Sequence, residues 1–294
     1  MLFIAIAGAV VALSAVGRVG HASKYPIITA NGFMGHLDGN PARALADKLV
    51  GKGFPGTVIS PFLKVDGKAA ATGPFTHQVK TISDAILKST KPSKKKAIVI
   101  GYSLGSKIAM TAVRDNKKVA KNVAGVIGLA PAIGLIERYL KTLPNRTKKP
   151  LDEFPGESLA EKLKSLEVEL LARANKTARI DAKGGKALYA YAAENRLMRD
   201  LAEYGEEKLD VPPPGMLVIY GSQDEVIPSE RVAAFVEKHN LEGHKLNVNH
   251  GFQVQYDLKK YPEYEGYFPN ETGTTEVWSQ IADIAEKYLG ARLR

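Results

Sequence analysis

The sequence predicts an α/β fold, with a mostly parallel central sheet flanked by helices and a helical segment inserted into it. Short apolar runs such as Ala97-Ile98-Val99-Ile100 and Met216-Leu217-Val218-Ile219-Tyr220 have strand length and alternate with helix-period patterns. That alternation implies right-handed crossovers between parallel strands, with both faces of the sheet covered. Residues 132–210 break the rhythm, being charged, helical in pattern and poor in strand runs. The 45% of apolar residues in a chain of 294 suffices for a full core.

Pro26 to Ala30 reads as the first strand and leads into Asn31-Gly32-Phe33-Met34-Gly35. Pro41 to Val50 reads as a helix with proline in its first turn. Thr57 to Ser60 is a short strand, and Thr76 to Leu87 a helix with Val79, Ile82, Ile86 and Leu87 on one face. Ala97 to Ile100 is a strand, Leu104 to Arg114 a helix, and Val123 to Leu129 a strand closed by Ala130-Pro131. In the insertion, Leu159, Leu163, Leu166 and Leu170 recur at helical spacing, and Leu197, Met198 and Leu201 form a second stripe. Gly184-Gly185 interrupts this segment, while Pro144, Pro150 and Pro155 punctuate its entry. Val211-Pro212-Pro213-Pro214-Gly215 returns the chain to the sheet; Met216 to Tyr220 and the mixed run His244 to Val248 read as its last strands. Glu230 to His239 and Glu276 to Leu289 read as the closing helices. The expected organisation is a leader over 1–22, a first core part over 23–131, the insertion over 132–210 and a second core part over 211–294.

Composition narrows the chemistry. With no cysteine there is neither a disulfide, nor a thiolate metal site, nor a cysteine nucleophile. The net charge of +10 favours solubility and attraction to anionic surfaces, so peripheral contact with anionic membranes is an expectation for partners. The densest basic run, Lys91-Pro92-Ser93-Lys94-Lys95-Lys96, reads as a solvated loop before a buried strand, and no nucleic-acid module is present. Leu2 to Val16 is continuously apolar or small and precedes Gly20-His21-Ala22, the pattern of a secretory signal cleaved after Ala22. Secretion or export, periplasmic or extracellular, is therefore expected, with an uncleaved N-terminal anchor as the alternative. Asn145, Asn175 and Asn270 each begin an N-glycosylation pattern. There is no H-E-x-x-H, G-x-G-x-x-G or P-loop, so neither a metal nor a cofactor is expected.

Gly101-Tyr102-Ser103-Leu104-Gly105 carries the chemistry. It is a G-x-S-x-G pentapeptide between a predicted strand and a predicted helix, the context of a nucleophile elbow. A serine hydroxyl attacks only when exposed at such a tip beside a base. The flanking glycines let neighbouring backbone approach without a Cβ clash. Two motifs follow downstream: Gly221-Ser222-Gln223-Asp224-Glu225-Val226-Ile227-Pro228 after one apolar run, and Asn249-His250-Gly251-Phe252 after another.

In this Ser, Asp, His order and in its G-x-x-D-x-x-[VI]-P stretch, the sequence resembles the α/β-hydrolase superfamily, in its esterase- and lipase-like branches, from Lys24 onward. The resemblance implies that Ser103 attacks a carbonyl, that His250 takes and returns the proton, and that Asp224 holds the imidazole in the useful tautomer. Among six histidines, His21 lies in the leader, His77 starts a helix, His239 ends one, and His244 sits on or beside the last strand. His250 alone follows the last strand with a glycine beside it. Glu225 is the nearest rival acid, but points elsewhere from a tight loop.

The resemblance also implies two oxyanion donors, the backbone N–H of Leu104 and that of Phe33, with Met34 as the fallback. Where the family often has His-Gly, this chain has Asn31-Gly32, which puts the anchoring of that loop in question. Met34, His36 and Tyr102 are candidate substrate contacts, and residues 132–210 a cap over the site. The expected activity is cofactor-free hydrolysis of carboxylic esters, lipid or acyl-chain esters first, through an acyl-enzyme. The alternatives are thioester or amide hydrolysis or acyl transfer on the same triad, or a silent hydrolase fold that only binds.

Overall fold

Among the described residues six strands, all parallel, form one sheet in the order β2-β1-β3-β4-β5-β6. They are β1 (Tyr25–Ala30), β2 (Gly56–Ile59), β3 (Ala97–Tyr102), β4 (Val123–Leu129), β5 (Leu217–Gly221) and β6 (Glu242–Leu246). The computed structural model describes residues 24–32, 41–61, 74–147, 149–252 and 275–293; the leader over 1–22 and the Asn270 glycosylation pattern lie outside them. The chain runs outward from β1 to β2 and then returns to β3 on the other side of β1. The strand order therefore reverses between β1 and β3, where open α/β sheets form their ligand crevice at the carboxyl ends of the strands.

Two-residue periodicity sorts the sheet into two cores. Ile28, Ala30, Val99, Val126 and Val218 face one side, under α2 (Phe75–Ser93), α3 (Leu104–Asp115) and α9 (Ser229–Lys238). Ile27, Ile98, Ile100, Ile127 and Ile219 face the other, under α1 (Pro41–Gly51) and α10 (Thr275–Arg292). Each such fully buried isoleucine contributes about 1.5–3 kcal/mol relative to exposure. Tyr288 of α10 reaches into the sheet: its hydroxyl donates to Gly215 O at 2.8 Å and accepts from Val126 N at 3.2 Å. Burial pushes that phenol above its ordinary 10.0. Among the described residues, no helix is long and apolar enough to cross a membrane.

The insertion is helical: α5 (Leu135–Thr147), a 3-10 turn at Leu151–Glu153, α6 (Leu159–Ala178), α7 (Ala182–Tyr204) and the short α8 (Glu206–Leu209). Ser158 and Glu161 form a capping box that starts α6. α6 and α7 make an antiparallel hairpin, with Asn195 Nδ2 donating to Leu163 O and both Arg196 and Arg199 paired with the buried Glu167. The leucine stripe belongs to the same core as α2 and α3, so the insertion continues that side of the molecule. Asp210, at its exit, takes the ammonium of Lys107 on one oxygen and the N–H of Gly134, at its entry, on the other at 3.0 Å. Lys107 sits on α3 and is only 1% exposed.

The structure departs from the sequence reading at several places. α2 runs on to Ser93, because Ser89, Thr90 and Ser93 bond back to helix carbonyls and Pro92 falls in the final turn. A short helix α4 (Lys117–Lys121) was missed; Asn116 caps it, accepting from Lys118 N and Val119 N. Gly184-Gly185 does not interrupt the helix but lies in the first turn of α7, where a Cβ on Gly185 would stand 2.5 Å from Ala178 Cβ. The last strand is Glu242–Leu246, two residues earlier than His244 to Val248, because Asn247 and Val248 already belong to the loop beside the acid turn.

Candidate active site

Ser103 sits between β3 and α3 with φ 52 and ψ −120, a region rarely populated by a side-chain-bearing residue. Such a conformation costs about 1–3 kcal/mol and persists only where its surroundings impose it. Here Ser103 N donates to Leu129 O at 2.8 Å, while its carbonyl accepts from Ser106 N at 3.0 Å and Ala132 N at 3.3 Å. The two motif glycines are steric necessities. A Cβ on Gly101 would stand 2.5 Å from Ser106 Cα, and one on Gly105 would collide with the Ala30 carbonyl. The turn therefore packs directly against the end of β1. Gly32 lies over it, so close that a Cβ there would be 3.3 Å from Ser103 Cβ.

The acid and histidine loops run side by side past the ends of β5 and β6. Ser222 N donates to Leu246 O at 2.7 Å and Gln223 N to Val248 O at 3.1 Å. Asp224 is fixed at both oxygens. Oδ1 accepts from Val226 N at 2.9 Å and Ile227 N at 2.6 Å, and Oδ2 lies 2.8 Å from His250 Nδ1. That contact puts a proton on Nδ1 and leaves Nε2 to accept. Nε2 lies 3.2 Å from Ser103 Oγ. The three side chains thus form one continuous chain of polar contacts. Ser103 is 9% exposed and His250 6%, so the chain is sheltered from bulk water.

The neighbouring residues support this line. The Tyr102 ring packs against the imidazole with centroids 5.2 Å apart and edge-on against Phe252 at 6.5 Å. Tyr102, a candidate substrate contact by sequence, is mostly buried and walls in the histidine. Glu225, the rival acid, accepts from the His250 backbone N at 3.4 Å, not from its ring. His244 is half-buried on β6 and pairs with Glu242 at 3.2 Å; His77 is exposed on α2; His239 packs on Phe235 at the end of α9. Leu104 opens α3, where a backbone N–H has no acceptor within the helix. Phe33, Met34 and His36 lie outside the described residues. Asn31 Oδ1 is buried with no hydrogen-bond partner among the described residues. Among the described residues no His/Asp/Glu group is arranged to hold a metal. The buried Lys107–Asp210 pair, one turn along α3 from the serine, escaped the sequence reading. A lysine inside an otherwise small and apolar helix face was its only signal.

A parallel sheet whose strand order reverses beside a serine-bearing turn after its central strand defines an α/β-hydrolase. A putative hydrolase from Agrobacterium vitis shares the fold at 13% identity, over 91% of this chain and 89% of that one, with a TM-score of 0.53. A putative aryl esterase from Burkholderia cenocepacia (16% identity, 92% of each chain, TM-score 0.45) and Est1E from Butyrivibrio proteoclasticus (16%, 89% of each, 0.46) are more distant in shape. The family model described as serine aminopeptidase, S33, matches residues 64–253, a span that includes Ser103, Asp224 and His250; the chain belongs to that family of hydrolases. No curated protein matches this sequence.

Proposed function

We propose that the protein is a serine hydrolase of carboxylic esters, with lipid or acyl-chain esters as its first substrates. The observation that carries the reading is the contact line Asp224 Oδ2–His250 Nδ1, His250 Nε2–Ser103 Oγ, at 2.8 and 3.2 Å. Ser103 Oγ attacks the ester carbonyl while His250 Nε2 takes its proton. The tetrahedral oxyanion is met by the Leu104 N–H and by a second donor from the loop after Gly32, Phe33 in our assignment. The histidine returns the proton to the leaving alkoxide, and an acyl group remains on Ser103. Water, deprotonated by the same nitrogen, then releases the acid. Asp224 stays ionised throughout and stabilises the imidazolium. In this reading the insertion caps an apolar acyl pocket, and Met34, His36 and Tyr102 are its candidate substrate contacts.

Amide hydrolysis is the second reading, kept by the family description, which names a serine aminopeptidase. A p-nitrophenyl ester panel graded by acyl length, run beside aminoacyl p-nitroanilides and thioesters, tests both. Higher kcat/KM on esters, rising with chain length, supports the proposal; higher kcat/KM on anilides overturns it. Fluorophosphonate labelling that is lost in Ser103→Ala separates an enzyme from a silent binding fold. We also propose export through the Leu2–Val16 segment, for which the mature N-terminus should be Ser23; retained Met1 on membrane-bound protein would point to the anchor instead.

A further inference from the structure

The distal end of the α6–α7 hairpin is unlike the rest of the surface. Between residues 171 and 190 only Ala174 and Gly185 are buried, so this stretch packs on its own partner helix and otherwise faces water. At its apex Ile180 is 86% exposed. Of the six large hydrophobic residues that are exposed among the described residues, four lie on this hairpin: Val168, Ile180, Tyr189 and Tyr191. Arg173, Lys176, Arg179, Lys183 and Lys186 surround the apex, against one acid, Asp181. Asp181 is already engaged, its carboxylate accepting from Lys183 N as the cap of α7. The apex is therefore a basic tip with an apolar point.

We propose that this tip docks on an anionic lipid surface, with Ile180 entering the acyl boundary and the flanking cations meeting phosphate headgroups. A stable protein partner requires roughly 800 Å² per side, which one isoleucine between charges does not supply. At a lipid surface, shallow apolar insertion and headgroup attraction add instead. The close packing of Gly185 on Ala178 keeps the tip narrow. The inference goes beyond the ester-hydrolase reading and does not depend on Ser103 being a nucleophile.

The experiment is co-sedimentation of the mature chain, beginning at Ser23 and so without the apolar Leu2–Val16 run, with phosphatidylglycerol or phosphatidylcholine vesicles. The host should be one that does not N-glycosylate, since Asn175 lies within this stretch. Binding to phosphatidylglycerol alone is expected. Ile180→Ser should weaken it roughly tenfold, and Arg179→Gln with Lys183→Gln roughly fivefold per charge. Neutralising Lys94, Lys95 and Lys96 should change it less than about twofold, the scale expected of a remote, screened patch. Equal binding by Ile180→Ser, equal binding to phosphatidylcholine, or loss confined to the Lys94–Lys96 variant overturns the proposal. So does tight binding to polyglutamate that Ile180→Ser leaves intact, which would indicate an acidic protein partner. Turnover of a soluble ester by the same variants is read separately, so failure of docking and failure of the hydrolase reading remain distinguishable.

Discussion

The carboxyl end of the sheet and the distal half of the α6–α7 hairpin are built on opposite principles. At the sheet end, backbone touches backbone. Gly105 admits the Ala30 carbonyl, Gly101 admits the turn at Ser106, and Ser103 holds a positive φ between them. In the distal hairpin, most side chains point to water, and the helices meet where Gly185 packs on Ala178 and where the Tyr189 hydroxyl donates to Asn175 Oδ1. The first region holds its side chains through close backbone contacts on every side; the second carries its side chains on a stalk, where few contacts fix them.

The largest effect that would sharpen this contrast is chemical loss without structural loss. Ser103→Ala should lower kcat by roughly 10^4-fold or more, His250→Ala nearly as much, and Asp224→Asn somewhat less though still on the order of 10^4-fold, each with an unchanged thermal midpoint. Near-wild-type turnover in Ser103→Ala would end the assignment. Next comes structural loss at the same place. Gly105→Ala forces a methyl onto the Ala30 carbonyl, and its denaturant midpoint should report about 3 kcal/mol or more of destabilisation. The matching change in the hairpin, Gly185→Ala, meets Ala178 Cα at 2.6 Å and should cost about 1–2 kcal/mol. Yet it should leave kcat on a soluble ester within about twofold, because hairpin packing does not fix the triad. If turnover fell with stability in Gly185→Ala, the two regions would be coupled and the contrast would fail.

The smallest effect concerns the α5–α9 contact. Arg231 and then Lys141 hydrogen-bond Glu137 and hold its carboxyl at about 2, below the ordinary 4.5. A depressed carboxylate stabilises the fold above its unfolded value and loses that contribution as pH falls. The melting curves of wild type and Glu137→Gln should therefore converge between pH 4.5 and about 2. Curves that diverge over that window would remove the pair from the account.

Much of the sheet end was legible because its constraints are local. A glycine two residues either side of a serine, after a four-residue apolar run, encodes the turn almost completely. Asp224 and His250 each lie in a loop motif after an apolar run, which is what makes them candidates in the sequence. The last strand was misplaced by two residues because β6 is a half-exposed edge whose side chains carry little apolar pattern. Gly184-Gly185 was misread as a break because sequence alone does not distinguish a glycine that bends a helix from one that lets a neighbour in. Lys107 and Asp210 stand over a hundred residues apart in the chain, and no local pattern announces a contact of that reach.

That last contact sets what the chain between Gly134 and Asp210 is free to become. One carboxylate gathers the entry, the exit and the helix that bears Ser103 at a single point. The two ends of everything threaded between meet at that carboxylate. Helical turns added to or removed from the exposed distal part of the α6–α7 finger should leave the register of β4 and β5 unchanged. The molecule is therefore arranged as an exchangeable cassette on a fixed socket, and changes of chain length within this lineage should collect there.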